Sequence, residues 1–304
     1  MKKVLIIGTA CIDIIVDGVK EDVLSSFSVR SKENLLNFGG DGLNEAVILA
    51  NSGIDTSFVT TLGNDDAGKA IYNYCLNNNV KISDDCFIDE KTNVSVILID
   101  EMRKRHFIST LSGSMRELSV NNIHYDLDDI DIVSLGSMFI SNRLNDDEMC
   151  VLFEDIKRKN KILCADMVKP KHNEKCFDMK CLKYLDYFFP NDIEALYFTD
   201  KNTIEEAAEE LFKCGIKNVI IKCGKKGCYI RNKELSTYVN ALIVDNIIDT
   251  TGAGDSFVAG FIHGMSKDMD IIESAKLGHK FASKCIVKNG ANSWSKNLKV
   301  EEIL

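Results

Sequence analysis

The residues with the clearest potential for chemistry lie in the run Asp249-Thr250-Thr251-Gly252-Ala253-Gly254-Asp255. An alternating, strand-like stretch over 238–244 precedes the run, and apolar residues at helical spacing follow it, so a loop is predicted to become a helix here. The first N–H groups of a helix have no partner within the helix, and the helix dipole places partial positive charge at that end. Gly252, Ala253 and Gly254 would let an anion approach these N–H groups closely.

Asp255 would then place a carboxylate in the first turn of that helix, beside the predicted anion site. Such a carboxylate repels a phosphate, unless its role is to take a proton from an attacking hydroxyl group. The combination predicts phosphoryl transfer, in which backbone N–H groups stabilise the transferred group and Asp255 activates the nucleophile. The alternative interpretation is that Asp249 and Asp255 are solvated acids near a glycine-rich helix start.

The composition limits the classes of function. The 304 residues, 45% of them apolar, suffice for one large α/β domain or two small ones. No run is long enough to span a bilayer, and the apolar segment at 4–8 is too short for a signal peptide, which predicts a cytoplasmic protein without a membrane partner. The net charge of −9 argues against nucleic acid as a partner. The eleven cysteines include no C-x-x-C pair, so neither a disulfide framework nor a zinc site is expected.

Strands and helices alternate along most of the chain, which predicts a mostly parallel sheet covered by helices on both faces. A predicted hairpin of residues 93–99 and 106–111 interrupts this alternation and should stand off the core sheet, as should short strands within 14–38. The core strands are predicted at 4–8, 56–62, 130–135, 162–165, 187–189 and 218–222.

Further candidate residues lie near the amino terminus. Asp13 follows the first predicted strand, where open α/β sheets place their ligand sites, although it could equally be a turn or capping residue. The run Phe38-Gly39-Gly40-Asp41-Gly42 leads into an apolar helix, and its glycines would let a small ligand rest against the backbone. Asn44 offers a donor and an acceptor to a hydroxyl group. Close helix packing is the alternative explanation for these glycines.

Four motifs together resemble those of one family. Gly39-Gly40-x-Gly42-x-Asn44-x-Ala46 resembles its first signature, and Asp249-Thr250-x-Gly252-Ala253-Gly254-Asp255 resembles its second, more specific one. Pro190-Asn191-x-x-Glu194 and Lys222-x-Gly224-x-x-Gly227 resemble two further elements. Over essentially its whole length the chain resembles the ribokinase-like carbohydrate kinases, also called the phosphofructokinase-B (PfkB) family. The resemblance implies an α/β, ribokinase-like fold, with a central mostly parallel sheet, helices on both faces and a small β-sheet lid.

The resemblance also implies an activity and an organisation. The chain would be a single kinase domain over residues 1–304, with lid segments at about 12–38 and 92–113 inserted in the α/β core. It would transfer the γ-phosphate of ATP to a hydroxyl group of a sugar or sugar-like substrate. In several members the lid forms a dimer interface, so a homodimer through the lid is expected.

Individual roles follow from the same resemblance. Asp255 is the implied base, and the backbone of Gly252, Ala253 and Gly254 is the implied anion hole. The residues that would hold the substrate are Asp13, Gly39, Gly40 and Asn44. The residues that would border the nucleotide are Asn191, Lys222, Gly224 and Gly227. Glu194 would organise Mg²⁺ indirectly, and K⁺ could bind backbone carbonyls near Asp249, Thr251 and Gly290. Mg²⁺ is also expected on physical grounds, because the phosphate charge must be neutralised during transfer.

Departures from the family pattern bear on the substrate. Ribokinases carry a Lys after the paired glycines and an acid on the strand after the lid, whereas this chain has Asp41 and Gly136 there, which points away from ribose. A nucleoside kinase on the same scaffold is therefore the main alternative. A phosphorylated sugar would need a basic cluster, for which only Arg103, Arg105 and Lys169 are candidates; the patch with Arg103 and Arg105 is otherwise interpreted as a solvated turn.

Two further classes of protein differ more from a carbohydrate kinase. A catalytically silent regulatory homologue would bind ligands without turnover, although such relatives usually lose the base or the glycine loop, and both are present here. A dinucleotide-dependent oxidoreductase is disfavoured, because the G-x-G-x-x-G spacing is missing.

Overall fold

The computed structural model describes residues 2–102, 104–168, 180–296 and 298–303. Within them the strands are, in chain order, β1 (Val4–Ile7), β2 (Cys11–Val19), β3 (Glu33–Gly39), β4 (Thr56–Val59), β5 (Leu62–Gly63), β6 (Lys81–Ile82), β7 (Phe87–Ile88), β8 (Val94–Asp100), β9 (Arg105–Ile108), β10 (Ile132–Met138), β11 (Ile162–Met167), β12 (Tyr187–Phe188), β13 (Asn218–Lys222), β14 (Cys228–Asn232) and β15 (Ser236–Val239). The α-helices are α1 (Asp41–Asn51), α2 (Asp66–Asn77), α3 (Asp146–Arg158), α4 (Asp192–Thr199), α5 (Ile204–Lys213), α6 (Ala253–Ser266) and α7 (Ile271–Cys285).

The main sheet separates two apolar cores. Successive side chains of a strand point to opposite faces, and in β1 Val4 and Ile6 belong to one core while Leu5 and Ile7 belong to the other. The first core contains side chains from α1, α2, α6 and α7, and the second contains side chains from α3, α4 and α5. The sheet is thus covered by helices on both faces, as predicted.

The main sheet has nine strands in the order β15-β14-β13-β12-β11-β10-β1-β4-β6. Neighbouring strands are parallel from β6 to β13, and β14 and β15 add an antiparallel edge. The prediction of a mostly parallel sheet is therefore confirmed. The strand order reverses around β1, and open α/β sheets bind ligands at the carboxyl ends of the strands near such a reversal.

A separate four-stranded sheet, here called the small sheet, has the order β3-β2-β8-β9. Strands β2 and β3 are antiparallel, β2 and β8 are parallel, and β8 and β9 form the hairpin that was expected to stand off the core. One face of the small sheet buries Ile15, Ile97 and Ile99, with Leu35 packed against them.

The prediction of a strand over 238–244 is wrong beyond Val239. Strand β15 ends there, and residues 240–250 form no regular secondary structure. The apolar residues that suggested a strand, such as Leu242 and Ile243, are exposed and line a cavity instead. The apolar alternation here therefore belongs to a cavity wall and not to a strand.

The ten cysteines among the described residues are free thiols, most of them buried, as expected for small apolar residues. Nowhere in this part of the chain is there a helix that is both long and apolar enough to cross a membrane.

Candidate active site

The glycine-rich run forms the turn that begins α6. Gly252 precedes the helix with a φ of 75°, and a Cβ there would lie 2.5 Å from the Cα of Ala291, so only glycine fits. The N–H of Ala253 donates to the Thr250 carbonyl at 3.2 Å, and the N–H of Ser256 donates to the Gly252 carbonyl at 2.8 Å. The turn places Gly254 and Asp255 in the first helical turn.

Asp255 is held by a residue of another helix. Asn44, buried on α1, donates from Nδ2 to Asp255 Oδ2 at 2.6 Å. Burial raises the pKa of Asp255 to about 6; the hydrogen bond from Asn44 opposes this rise, Asp166 adds to it, and Lys222 opposes it. A carboxyl group with this pKa is ionised at neutral pH yet accepts a proton readily, which suits a general base.

Two cavities meet beside the start of α6. The larger, of about 570 Å³, lies between the 241–247 segment, α6 and α7, and its apolar lining includes Ala241, Leu242, Ile243, Val244, Ile247, Phe257, Ala282 and Ile286. The smaller, of about 410 Å³, is acidic and is lined in part by Asp41, Asp166, Asn191, Glu194 and Asp255. Lys222, Gly224 and Gly254 line both cavities. A ligand in the large cavity could therefore reach one in the acidic cavity at Gly254.

Lys222 places a positive charge at this junction. It ends β13 and pairs with Asp166 on β11. Burial alone would lower the pKa of Lys222, but Asp166 and Glu194 more than offset that effect, so its pKa is raised and it stays protonated. Burial raises the pKa of Asp166. The pairing was not foreseen, although an acid at the carboxyl end of a buried strand was a signal for it.

Asp13 lies against the paired glycines of the first signature. A Cβ on Gly39 would overlap the Asp13 carboxylate, and a Cβ on Gly40 would lie 2.5 Å from the Thr9 carbonyl oxygen. Gly40 also has a φ of 98°, which favours glycine. The glycines thus let β3 turn into α1 close to Asp13, whose pKa is raised by burial.

Asp41, the first residue of α1, adds another carboxyl group to the acidic cavity. Ser137 donates to Asp41 Oδ2 at 3.4 Å. Burial, followed by the nearby Asp255 and Asp166, raises the pKa of Asp41 well above its usual value. The sequence marked Asp41 only as a departure from a family pattern.

Asn191 and Glu194 form a capping box that begins α4. Asn191 Oδ1 accepts the Glu194 N–H at 2.9 Å, and Glu194 Oε2 accepts the Asn191 N–H at 2.8 Å. Both residues also line the acidic cavity. No group of three or more His, Cys, Asp or Glu side chains is arranged for a metal ion in the described ranges. A role in organising Mg²⁺ would therefore involve few protein ligands and remains a prediction.

Gly224 and Gly227 form the loop after β13. Both have positive φ, of 54° and 98°, and a Cβ on Gly227 would overlap the Val239 carbonyl. Both line the large cavity. Glycine at 227 thus allows the two backbones to come together beside the cavity.

Asp249 is buried and bound by Arg105, whose guanidinium also contacts the Thr251 hydroxyl. The Thr251 and Gly290 N–H groups donate to Asp249 at 2.8 and 3.2 Å. Burial alone would raise the pKa of Asp249, but hydrogen bonds from Thr251, Arg105 and Gly290 lower it. The interpretation of Arg105 as part of a solvated turn is therefore wrong. Arg103 and Lys169 lie outside the described residues.

Comparison with known proteins identifies relatives over nearly the whole chain. Residues 1–297 match the model of the pfkB family carbohydrate kinases. An uncharacterized sugar kinase of Archaeoglobus fulgidus is 30% identical over 254 residues, covering 80% of this chain and 96% of the relative.

Solved structures share the fold. The ribokinase of Thermotoga maritima superposes with a TM-score of 0.83 at 26% identity, covering 100% of this chain and 98% of the other. The ribokinase of Arabidopsis thaliana, solved in complex with ribose and ATP, has a TM-score of 0.82 at 23% identity, covering 99% of this chain and 98% of that one. The ribokinase-like fold that the motifs implied is confirmed.

Proposed function

The chain belongs to the pfkB family of carbohydrate kinases, and on that premise we propose that it transfers the γ-phosphoryl group of ATP to a hydroxyl group of a sugar or sugar-like acceptor, with Asp255 as the base. Enzymes of this family are phosphotransferases that act on hydroxyl groups. The observation that carries the proposal is the meeting of the two cavities at Gly254, beside Asp255.

In this reaction Asp255 takes the proton of the acceptor hydroxyl while the hydroxyl oxygen bonds to the γ-phosphorus. The bond from that phosphorus to the β–γ bridging oxygen breaks, and ADP leaves. The N–H groups at the start of α6, over Gly252, Ala253 and Gly254, together with Lys222, would stabilise the negative charge on the transferred group.

The large cavity suits the nucleotide. Its apolar wall would cover the base, and Gly224 and Gly227 leave room for backbone contact. Bound Mg²⁺ would neutralise phosphate charge, and the oxygen atoms of Asn191 and Glu194 are of the kind this cation prefers, directly or through water. A K⁺ ion near Asp249 and Thr251 is also part of the proposal: the carbonyls of Thr251 and Ala291 converge, since both accept from the Cys285 thiol at 3.2 and 3.5 Å.

The acceptor would be an uncharged polyhydroxyl compound. Asp41, Asp166 and Asp255 surround the acidic cavity, and the Lys222 charge there is already paired with Asp166. A phosphate or carboxylate on the acceptor would be repelled by the ionised Asp255 carboxylate in this cavity. Asp13, Gly39, Gly40 and Asn44 would hold hydroxyl groups of the acceptor.

The reaction would take place in the cytoplasm, where ATP is supplied and where thiols like those of this chain stay reduced. The enzyme would act as a homodimer joined through the small sheet, which serves as the lid. Apolar side chains are exposed on one face of that lid, among them Leu36 at 59% and Ile108 at 53%.

The proposal is tested by ADP release from ATP and Mg²⁺, with and without K⁺, across sugars, sugar acids, sugar phosphates and nucleosides. Neutral sugars should support turnover, and Asp255→Asn should lower kcat by roughly 10²–10⁴-fold, the usual loss for a general base. Asp66→Asn, a change of an exposed acid in the first turn of α2, is the matched control. Near-normal turnover of Asp255→Asn would refute the base, turnover of nucleosides alone would redirect the substrate class, and ATP binding without turnover would favour a regulatory homologue.

A further inference from the structure

Four polar side chains form a chain of hydrogen bonds that ends at Asp255. The Tyr74 hydroxyl donates to Asn292 Oδ1 at 2.7 Å, and Asn292 Nδ2 donates to Asn44 Oδ1 at 2.7 Å. Asn44 Nδ2 in turn donates to Asp255 Oδ2 at 2.6 Å. Asn44 and Asn292 are both buried, at 4% exposure each.

The direction of the whole chain is set by one backbone group. Asn292 Nδ2 also donates to the carbonyl of Phe38 at 3.2 Å, and a carbonyl can only accept. The NH₂ group of Asn292 must therefore face Phe38, which leaves its oxygen toward Tyr74 and its second N–H toward Asn44. Because Asn44 must then present its oxygen to Asn292, its own NH₂ group faces Asp255.

We propose that Asn292 is a positioning residue for phosphoryl transfer: it fixes the side-chain amide of Asn44 so that an N–H donor, and not an oxygen, faces the Asp255 carboxylate. The proposal rests on the role of Asp255 as base. Tyr74, whose ring stacks on that of Phe38 at 4.3 Å between centroids, supports Asn292 from the other side.

The donor matters because Asp255 has acidic neighbours on several elements. The charged and titratable groups that act on it or respond to its charge are Asp41 and Glu45 on α1, Asp166 on β11, Lys222 on β13 and Cys285 on α7. Four of the five are acidic, and Lys222 is shared with Asp166. The Asn44 N–H therefore favours the ionised form of the base, which burial and the Asp166 charge disfavour.

Asn292→Asp tests the proposal with little change in shape. A carboxylate at 292 cannot donate, so it would draw the Asn44 NH₂ group toward itself and turn the Asn44 oxygen to Asp255. Asp255 sets the midpoint of the acid limb of the kcat/KM profile near pH 6. In Asn292→Asp this midpoint should move to higher pH by about one unit or more, the order expected for a lost charge-assisted hydrogen bond. Activity should fall by about fivefold at pH 6, approach a tenfold loss below pH 5 and recover near pH 8.5.

Asn292→Ala frees Asn44 without adding charge and should shift the limb in the same direction by less. The control is Asn51→Asp, which adds a charge on α1, the helix that carries Asn44. It also breaks similar hydrogen bonds, from Asn51 Nδ2 to Asn78 and Ser295 at 3.2 and 3.0 Å. Thermal unfolding of each variant is measured in parallel.

An unmoved acid limb in both Asn292 variants, with Asp255→Asn inactive, would overturn the positioning role and leave the proposed function intact. An equal shift in Asn51→Asp would overturn it as well, because the effect would then be one of general charge. Retained turnover of Asp255→Asn would overturn both proposals together. A shift confined to the Asn292 variants would support the positioning role.

Discussion

Gly252 and Gly254 are two residues apart, and the absence of a side chain serves a different purpose at each. Gly252 is required by the fold, because its φ is 75° and a Cβ would lie 2.5 Å from Ala291. At Gly254 the nearest atom to an added Cβ would be Lys222 Nζ, at 3.5 Å, which is ordinary contact. The protein therefore leaves room for a side chain at Gly254, and we predict that the constraint there comes from a ligand.

This contrast predicts two separable outcomes. Gly254→Val should fold with nearly unchanged Tm but lose at least about 10²-fold in kcat/KM, because the side chain would enter the space of the transferred phosphate. Gly252→Val should lower Tm by several degrees, as expected for a strained backbone and a steric clash. Thermal unfolding and steady-state kinetics on both variants separate the effects, and an unchanged kcat/KM for Gly254→Val would contradict the anion-hole role.

Residues that lie in compact sequence motifs were predictable, whereas contacts between distant positions were not. Asp255, Asn44 and Lys222 could be singled out because each lies in a short run of unusual composition. The relation between Asn44 and Asn292 could not, because the two are 248 positions apart and meet only through the topology. The pair of Arg105 with Asp249, 144 positions apart, was hidden for the same reason.

Among the elements, β9 and the turn before α6 are joined across the mouth of the site. Arg105 on β9 belongs to the small sheet, while Asp249 and Thr251 lead into the glycine turn. Arg105 thus ties the proposed lid directly to the loop that would hold the transferred phosphate.

Arg105→Ala should therefore loosen the lid. We expect KM for the acceptor to rise several-fold and kcat to fall less, because the half-buried Arg–Asp pair organises the closed form rather than the chemistry. Arg105→Lys should rescue little, because an ammonium cannot reproduce the two-pronged contact with Asp249 and Thr251. Lys104→Ala, a change of the exposed neighbour, is the control. A KM equal to that of the wild type would show that the pair plays no part in closure.

The type of an element was predictable where its apolar pattern arose from burial against the protein core. The βα alternation and the β8–β9 hairpin followed from buried runs and a charged turn, and both are present. The segment 240–244 was misassigned because its apolar residues line a cavity. A sequence pattern cannot distinguish apolar residues that face a cavity from those that face a second layer of protein.

At the scale of the whole molecule, the small sheet carries an apolar surface without a cover in the described chain. Leu36 on β3 and Ile108 on β9 are exposed on the same face of this sheet. The opposite face is the one that buries Ile15 and Ile97. A surface of this kind favours association with a second apolar surface. Pairing of two lids would bury the apolar surface of both copies at once, since a two-fold interface is self-complementary.

The expected dimer can be tested with charge. Ile108→Glu should convert a dimer of about twice the 34.0 kDa chain mass to a monomer in light scattering, because a carboxylate would be desolvated in the interface. Val151→Glu, placed on the exposed side of α3, should leave the mass unchanged. A wild-type protein that is already monomeric at micromolar concentration would exclude the lid as a stable interface.

The parallel pairing of β2 with β8 has a consequence for the order of folding. Ile12 lies opposite Val94, and the chain between them contains α1, α2 and β4. Contacts between such distant segments form late, because loop closure costs entropy before any contact is gained. The buried residues of the small sheet's own apolar cluster are three isoleucines, so we expect it to be the last part to assemble and the first to open. The low local stability that would let the lid open and release product would then have the same origin as its late assembly during folding.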